Sequence, residues 1–117
     1  GSEAFDFVAV EDCAKANICA MESDSVDSFY NVGTGIRTSL KELAELIVDI
    51  TQCNKKINYK PRIENTFVKN RIGCPKKAFN EIGFKSSVDL RDGLKRLIEW
   101  RKNHKVELLN RQNKIKS

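Results

Sequence analysis

Apolar positions along this 117-residue chain change period several times, and each change predicts an element. Phe5 to Val10 alternate in a β-rich run, which predicts a strand. Asp12 then stands as the N-cap of a helix over residues 13–22, where Ala14, Ala16 and Ala20 favour close packing on a neighbour. After a polar turn at 24–27, residues 28–32 (SFYNV) predict a second short strand, ended by Gly33-Thr34-Gly35. Ser39 with Glu42 three positions on forms a capping box. Leu40, Leu43, Ala44, Ile47 and Ile50 follow on one helical face through about Thr51.

Ile57–Lys60 predicts a third strand, stopped by Pro61. Residues 62–75 have no period and predict a loop, with one extended piece around Thr66-Phe67-Val68. Pro75 opens a short helix over 76–82 with Gly83 as its C-cap. Asp89 caps a last helix carrying Leu90, Leu94, Leu97, Ile98 and Trp100, whose apolar face thins after Arg101, so the end of the chain is predicted to fray. The order is β-α-β-α-β-loop-α-α: an α/β (α+β-like) small domain with short strands and about four helices. Three short strands and this much apolar surface suit a part of something larger better than a free-standing fold.

The net charge of +5 misleads until it is located. Residues 1–54 carry three Lys/Arg against ten Asp/Glu, and residues 55–77 carry eight against Glu64 alone. Residues 78–100 balance, and residues 101–117 supply the whole surplus. The excess therefore sits in a tail, which disfavours a nucleic-acid footprint spread over one face. Stretch 55–77 is different: its Arg62 and Arg71 bracket one loop, and guanidinium forks match phosphate oxygens. A solvated basic loop explains the same composition equally well. Tyr59 and Phe67 are not interleaved with the arginines as a base-stacking platform requires.

Other chemistry is sparse. Cys13, Cys19, Cys53 and Cys74 are separated by five, thirty-three and twenty residues, which fits no zinc pattern and suits reduced thiols in the cytoplasm. Gly33-Thr34-Gly35 starts like a dinucleotide fingerprint, but Thr38 stands where the third glycine belongs, so a tight turn is favoured. The single histidine, His104, has no triad partner, and capping or surface charge accounts for Asp6, Glu11 and Asp12. No run of about 18 apolar residues predicts a membrane span, and no secretory signal is visible.

Taken in order, the segments resemble one family. D-F-V-x-V-x-D at 6–12, N-x-G-T-G-x-x-T-S at 31–39 and G-L-x-x-x-I-E-W at 93–100 are similar to the C-terminal part of extended short-chain dehydrogenase/reductases. More narrowly, they resemble the NAD-dependent epimerase/dehydratase family that includes UDP-galactose 4-epimerase. The resemblance spans residues 3–102, which it implies are a substrate-binding domain, with 103–117 a basic tail. It implies a nucleotide-diphosphate sugar as ligand, and NAD as cofactor bound by an N-terminal Rossmann domain that these residues do not contain. It further implies a homodimeric full-length enzyme, an isomerase or lyase, with neither nucleic acid nor membrane as partner.

Neither GxxGxxG nor Tyr-x-x-x-Lys occurs here: four residues after Tyr30 stands Thr34, and four after Tyr59 stands Ile63. The chain is thus expected to lack catalytic, cofactor-binding and metal residues of its own, and to leave apolar surface uncovered on the helix over 13–22. By the resemblance, Arg62 holds the pyrophosphate after the I-x-Y-x-x-P/R strand. Arg71, in R-x-G-x-x-x-K-A, adds a second guanidinium. Phe5 stands where the family often has an arginine before D-F, and Cys74 replaces the acid of D-x-x-K-A. The alternative is a stand-alone basic nucleic-acid-binding or protein-interaction domain.

Overall fold

A computed structural model describes residues 1–61 and 69–116, and its core is small. Helix α1 (Val10–Glu22) crosses α3 (Lys76–Ile82), and Ala16, Ala78, Ile82 and Phe84 are buried between them, with Cys19 and Tyr30 packed on the side. Two alanines at the crossing let the backbones approach closely, and Phe84 fills the space with no exposed surface.

Three two-residue strands sit beside this crossing. They are β1 (Ala4–Phe5), β2 (Thr38–Ser39) and β3 (Asn70–Arg71), in the order β2-β1-β3. β1 pairs antiparallel with β2, aligning Phe5 with Thr38, and parallel with β3, aligning Phe5 with Arg71. The amides of Ala4 and Asp6 donate to the carbonyls of Lys69 and Arg71. Helix α2 (Leu40–Thr51) follows β2 directly and packs on α4 (Leu90–Asn103). An exposed Arg91–Asp49 ion pair joins these two helices. A further helix, α5 (Lys105–Lys116), extends from the end of α4.

Three of the caps match the sequence expectations. Ser39 accepts from the Glu42 amide while the Glu42 carboxylate accepts from the Ser39 amide. Asp89 accepts from the Arg91 amide, and Gly83 ends α3 at φ 69°. The mixed α/β class also agrees with expectation.

Strand positions do not agree. Residues 28–32 and 57–60 are not strands; the partners of β1 are 38–39 and 70–71, chosen by tertiary pairing that alternation along the chain does not encode. The predicted strand over 5–10 ends at Phe5, and α1 starts at Val10 with Ala9 as N-cap, so Asp12 does not cap it. Residues 105–116 are helical where a frayed end was expected. The extended piece predicted at 66–68 lies outside the described residues.

Much apolar surface is left open. The chain exposes 9646 Å², whereas a compact monomer of this mass exposes about 6,500 Å². Its radius of gyration is 17.4 Å, against about 13 Å for a compact chain of this length. Val10, Ile18 and Met21 form an uncovered stripe on α1, as expected, and Phe29 is 91% exposed. Among the described residues no helix is long and apolar enough to cross a membrane.

Candidate functional site

Arg71 lies on β3 and is exposed at the side of the sheet. Register places its side chain on the same face as Phe5 and Thr38, and its own carbonyl is fixed by the Asp6 amide. Among the described residues its guanidinium has no hydrogen-bond or ion-pair partner, so its donors remain available to a ligand. Arg62, the other residue singled out, lies outside the described residues.

A third guanidinium that the sequence reading passed over lies nearby. Arg37 donates from Nε to the Asn70 side-chain oxygen at 3.3 Å, tying the segment before β2 to β3. The antiparallel register puts residue 37 opposite Asp6, on the sheet face away from Arg71. Arg37 and Arg71 thus flank the small sheet and do not form one fork. The signal that could have found Arg37 is its position one residue before Thr38, in the motif already quoted.

What holds these backbones in place is Asp6. Its carboxylate accepts from the amides of Thr34 (3.1 and 3.0 Å) and Gly35 (2.9 Å) and from the Thr34 hydroxyl (2.5 Å). A Cβ on Gly33 would lie 2.5 Å from Asp6 Oδ2, and Gly35 adopts φ 75° with Pro75 packed against it. The Thr34 and Gly35 amides of this turn therefore point at a carboxylate of this chain. They are unavailable to a pyrophosphate, and the described residues form no dinucleotide cradle.

Asp12 performs a parallel task at the other end of the motif. It is buried, and it accepts from the amides of Ser87 and Val88 and from the Ser87 hydroxyl. Burial alone would raise its pKa; those hydrogen bonds and Lys15 outweigh it and hold the carboxyl below its ordinary value. Both aspartates of D-F-V-x-V-x-D are thus backbone acceptors rather than acid–base groups.

Several further polar residues have structural partners. Lys77 donates to the Phe29 carbonyl and lies 5.1 Å above the Tyr30 ring, whose hydroxyl contacts Ser25 and Glu81. His104 stacks on Trp100 and pairs with its carbonyl. Cys13, Cys19 and Cys53 are half-buried and Cys74 is exposed, all as free thiols. No metal-holding cluster occurs among the described residues.

An apolar cavity lies elsewhere. A trough of about 740 Å³ runs between α2 and α4 over the floor formed by residues 7–10. Its walls are almost wholly aliphatic and aromatic, with polar groups only at the rim. A nucleotide needs convergent donors, so the trough is not where one would bind.

Comparison with known proteins finds relatives similar in sequence and in structure. No family model matches the chain. A putative UDP-glucose 4-epimerase of Methanocaldococcus jannaschii is 36% identical over 105 residues, covering 89% of this chain and 33% of that protein. The crystal structure of UDP-glucose 4-epimerase from Thermotoga maritima with UDP-glucose superposes with a TM-score of 0.83 at 33% identity, covering 88% of this chain and 33% of that one. The Bordetella bronchiseptica enzyme WbmF, in complex with NAD+ and UDP, gives 0.83 at 32% identity over 97% of this chain and 33% of its own. The homologues are UDP-glucose 4-epimerase-like, NAD-dependent epimerases and related nucleotide-sugar enzymes of the extended short-chain dehydrogenase/reductase group. The chain spans about a third of the length of the curated relatives it matches.

Proposed function

We propose that this chain is the nucleotide-sugar-binding part of an NAD-dependent sugar-nucleotide epimerase or dehydratase, and that it lacks the catalytic groups of that enzyme. The observation that carries this reading is the superposition of 0.83 on a UDP-glucose 4-epimerase at 33% identity, spanning nearly the whole chain. A sugar nucleotide presents a diphosphate, and an exposed guanidinium on the β3 strand suits that charge. In this reading Arg71 binds the diphosphate from β3 and Arg62 from the start of the loop.

NAD belongs to residues outside this chain, because the one glycine turn that resembles a dinucleotide site is occupied by Asp6. The full enzyme acts as a homodimer in the cytoplasm, a compartment that suits four free thiols. Nucleic acid is not its ligand in this reading: the charge surplus lies at 101–117, and Tyr59 and Phe67 are not interleaved with the arginines along the sequence.

The test uses the complete reading frame. Purified protein with NAD should interconvert or dehydrate a UDP-sugar, and filter binding to duplex DNA should be weak at physiological salt. Tight, salt-steep DNA binding with no turnover of any nucleotide sugar would contradict the proposal.

A further inference from the structure

The corner between α4 and α5 is fastened by a ring pair that the nucleotide-sugar reading leaves unused. The His104 imidazole lies on the Trp100 indole, with centroids 4.4 Å apart and planes 16° from parallel. Its Nδ1 is 2.8 Å from the Trp100 carbonyl oxygen, which also takes the His104 amide at 3.0 Å. A carbonyl only accepts, so Nδ1 carries the hydrogen of that contact. His104 is the C-cap of α4, and its own carbonyl takes the Leu108 amide at 3.1 Å in the first turn of α5. His104 and Leu108 are half-buried, whereas residues 101–103 and 105–107 are exposed. One residue thus closes the last turn of α4 and opens the first turn of α5.

We infer that His104 is a proton-operated latch, which fixes α5 to the end of α4 more firmly when the imidazole is charged. Histidine is the side chain whose charge changes between about pH 5 and 8. A neutral ring divides between two tautomers, and only the one protonated at Nδ1 can donate to Trp100. The charged ring carries a hydrogen on both nitrogens, so the bond is always available, and a charged donor strengthens it. The same charge over the indole face adds a cation–π attraction. It also lies at the last turn of α4, where the helix dipole favours a cation.

Other charges act on the ring from a greater distance. The N-terminus of α5 and the cations Arg101, Lys102, Lys105 and Arg111 oppose protonation, while Glu107 favours it. All five side chains are exposed and screened over about 8–10 Å, so the direct contacts with Trp100 decide the sign. Further back on α4, Arg96 is paired with Glu11. On α2, the other helix packed on α4, Lys41 and Glu45 pair with each other at 3.9 Å, and Asp49 pairs with Arg91 at the far end of α4.

The experiment is amide hydrogen exchange of the complete protein, read by peptide mass spectrometry and corrected for the intrinsic pH dependence of exchange. Between about pH 7.5 and about pH 5.5, protection of the amides in 105–116 should rise about two- to fivefold, the factor that an exposed cation–π contact supplies. His104→Gln cannot gain the charge, and its protection over 105–116 should stay flat across the same range. Peptides from α2 serve as the internal reference and should not change in either protein. No rise in the wild type, a rise in His104→Gln of more than half the wild-type factor, or an equal rise over α2 would each overturn the latch.

Discussion

Asp6 and Thr34 meet through both the backbone and the side chain: one carboxylate takes the Thr34 amide and the Thr34 hydroxyl, twenty-eight residues away in sequence. That contact joins the end of β1 to the turn before β2. It also brings Gly33 close to Gly73, on the segment that carries Arg71. The site's backbone frame is thus built around one carboxylate.

Replacing that carboxylate should be costly. Hydrogen bonds to charged groups contribute roughly 1.5–3 kcal/mol each, so Asp6→Ala, which also orphans two loop amides, should destabilise by about 2–4 kcal/mol. Gly33→Ala should act through the same contact, because its Cβ would fall 2.5 Å from Asp6 Oδ2. Gly83→Ala, with open space around it and only φ 69° to oppose it, should cost about 1 kcal/mol. Urea unfolding of the three variants checks the ranking, and Gly83→Ala as the most damaging would refute it.

The α1–α3 crossing makes a second prediction. Phe84 is fully buried in a cluster with Ala16, Ala78 and Ile82, and Phe→Ala at buried sites costs about 3–5 kcal/mol. In a chain with so small a core, Phe84→Ala should abolish cooperative thermal unfolding, while Phe84→Leu should retain it at a lower Tm. Calorimetry reads both, and a sharp transition for Phe84→Ala would contradict this account of the core.

Asp12 predicts an acid limb. Its folded pKa lies below the ordinary value of 3.8, so its stabilising contribution is complete above that pH. The contribution is lost as pH falls through the lower folded value. Unfolding midpoints should therefore drop steeply below about pH 4, and Asp12→Asn should start less stable at neutral pH and show a flatter acid limb. Equal acid sensitivity in both proteins would mean that other carboxylates control it.

These residues also show where sequence reasoning succeeded. The Ser39–Glu42 box, the Pro75–Gly83 helix and the Asp89 cap were legible because each is a contact within one turn of helix. Asp12 was mistaken for a local cap because its partners, Ser87 and Val88, lie some seventy-five residues away. The strands failed for the same reason: two-residue ladders are selected by their partners, and the runs at 28–32 and 57–60 found none among the described residues. Arg37 was hidden because only the β3 pairing reveals its bond to Asn70.

The central claim, that guanidinium groups of this chain hold a nucleotide diphosphate, is tested most directly by isothermal titration of UDP-glucose into the complete enzyme. Wild type is compared with Arg62→Ala and Arg71→Ala. Loss of one charged hydrogen-bonding partner should weaken binding by about ten- to a hundredfold in either variant. Both variants binding within about twofold of wild type, well under the 1.4 kcal/mol of a tenfold change, would show that the loop and β3 are only a solvated basic surface.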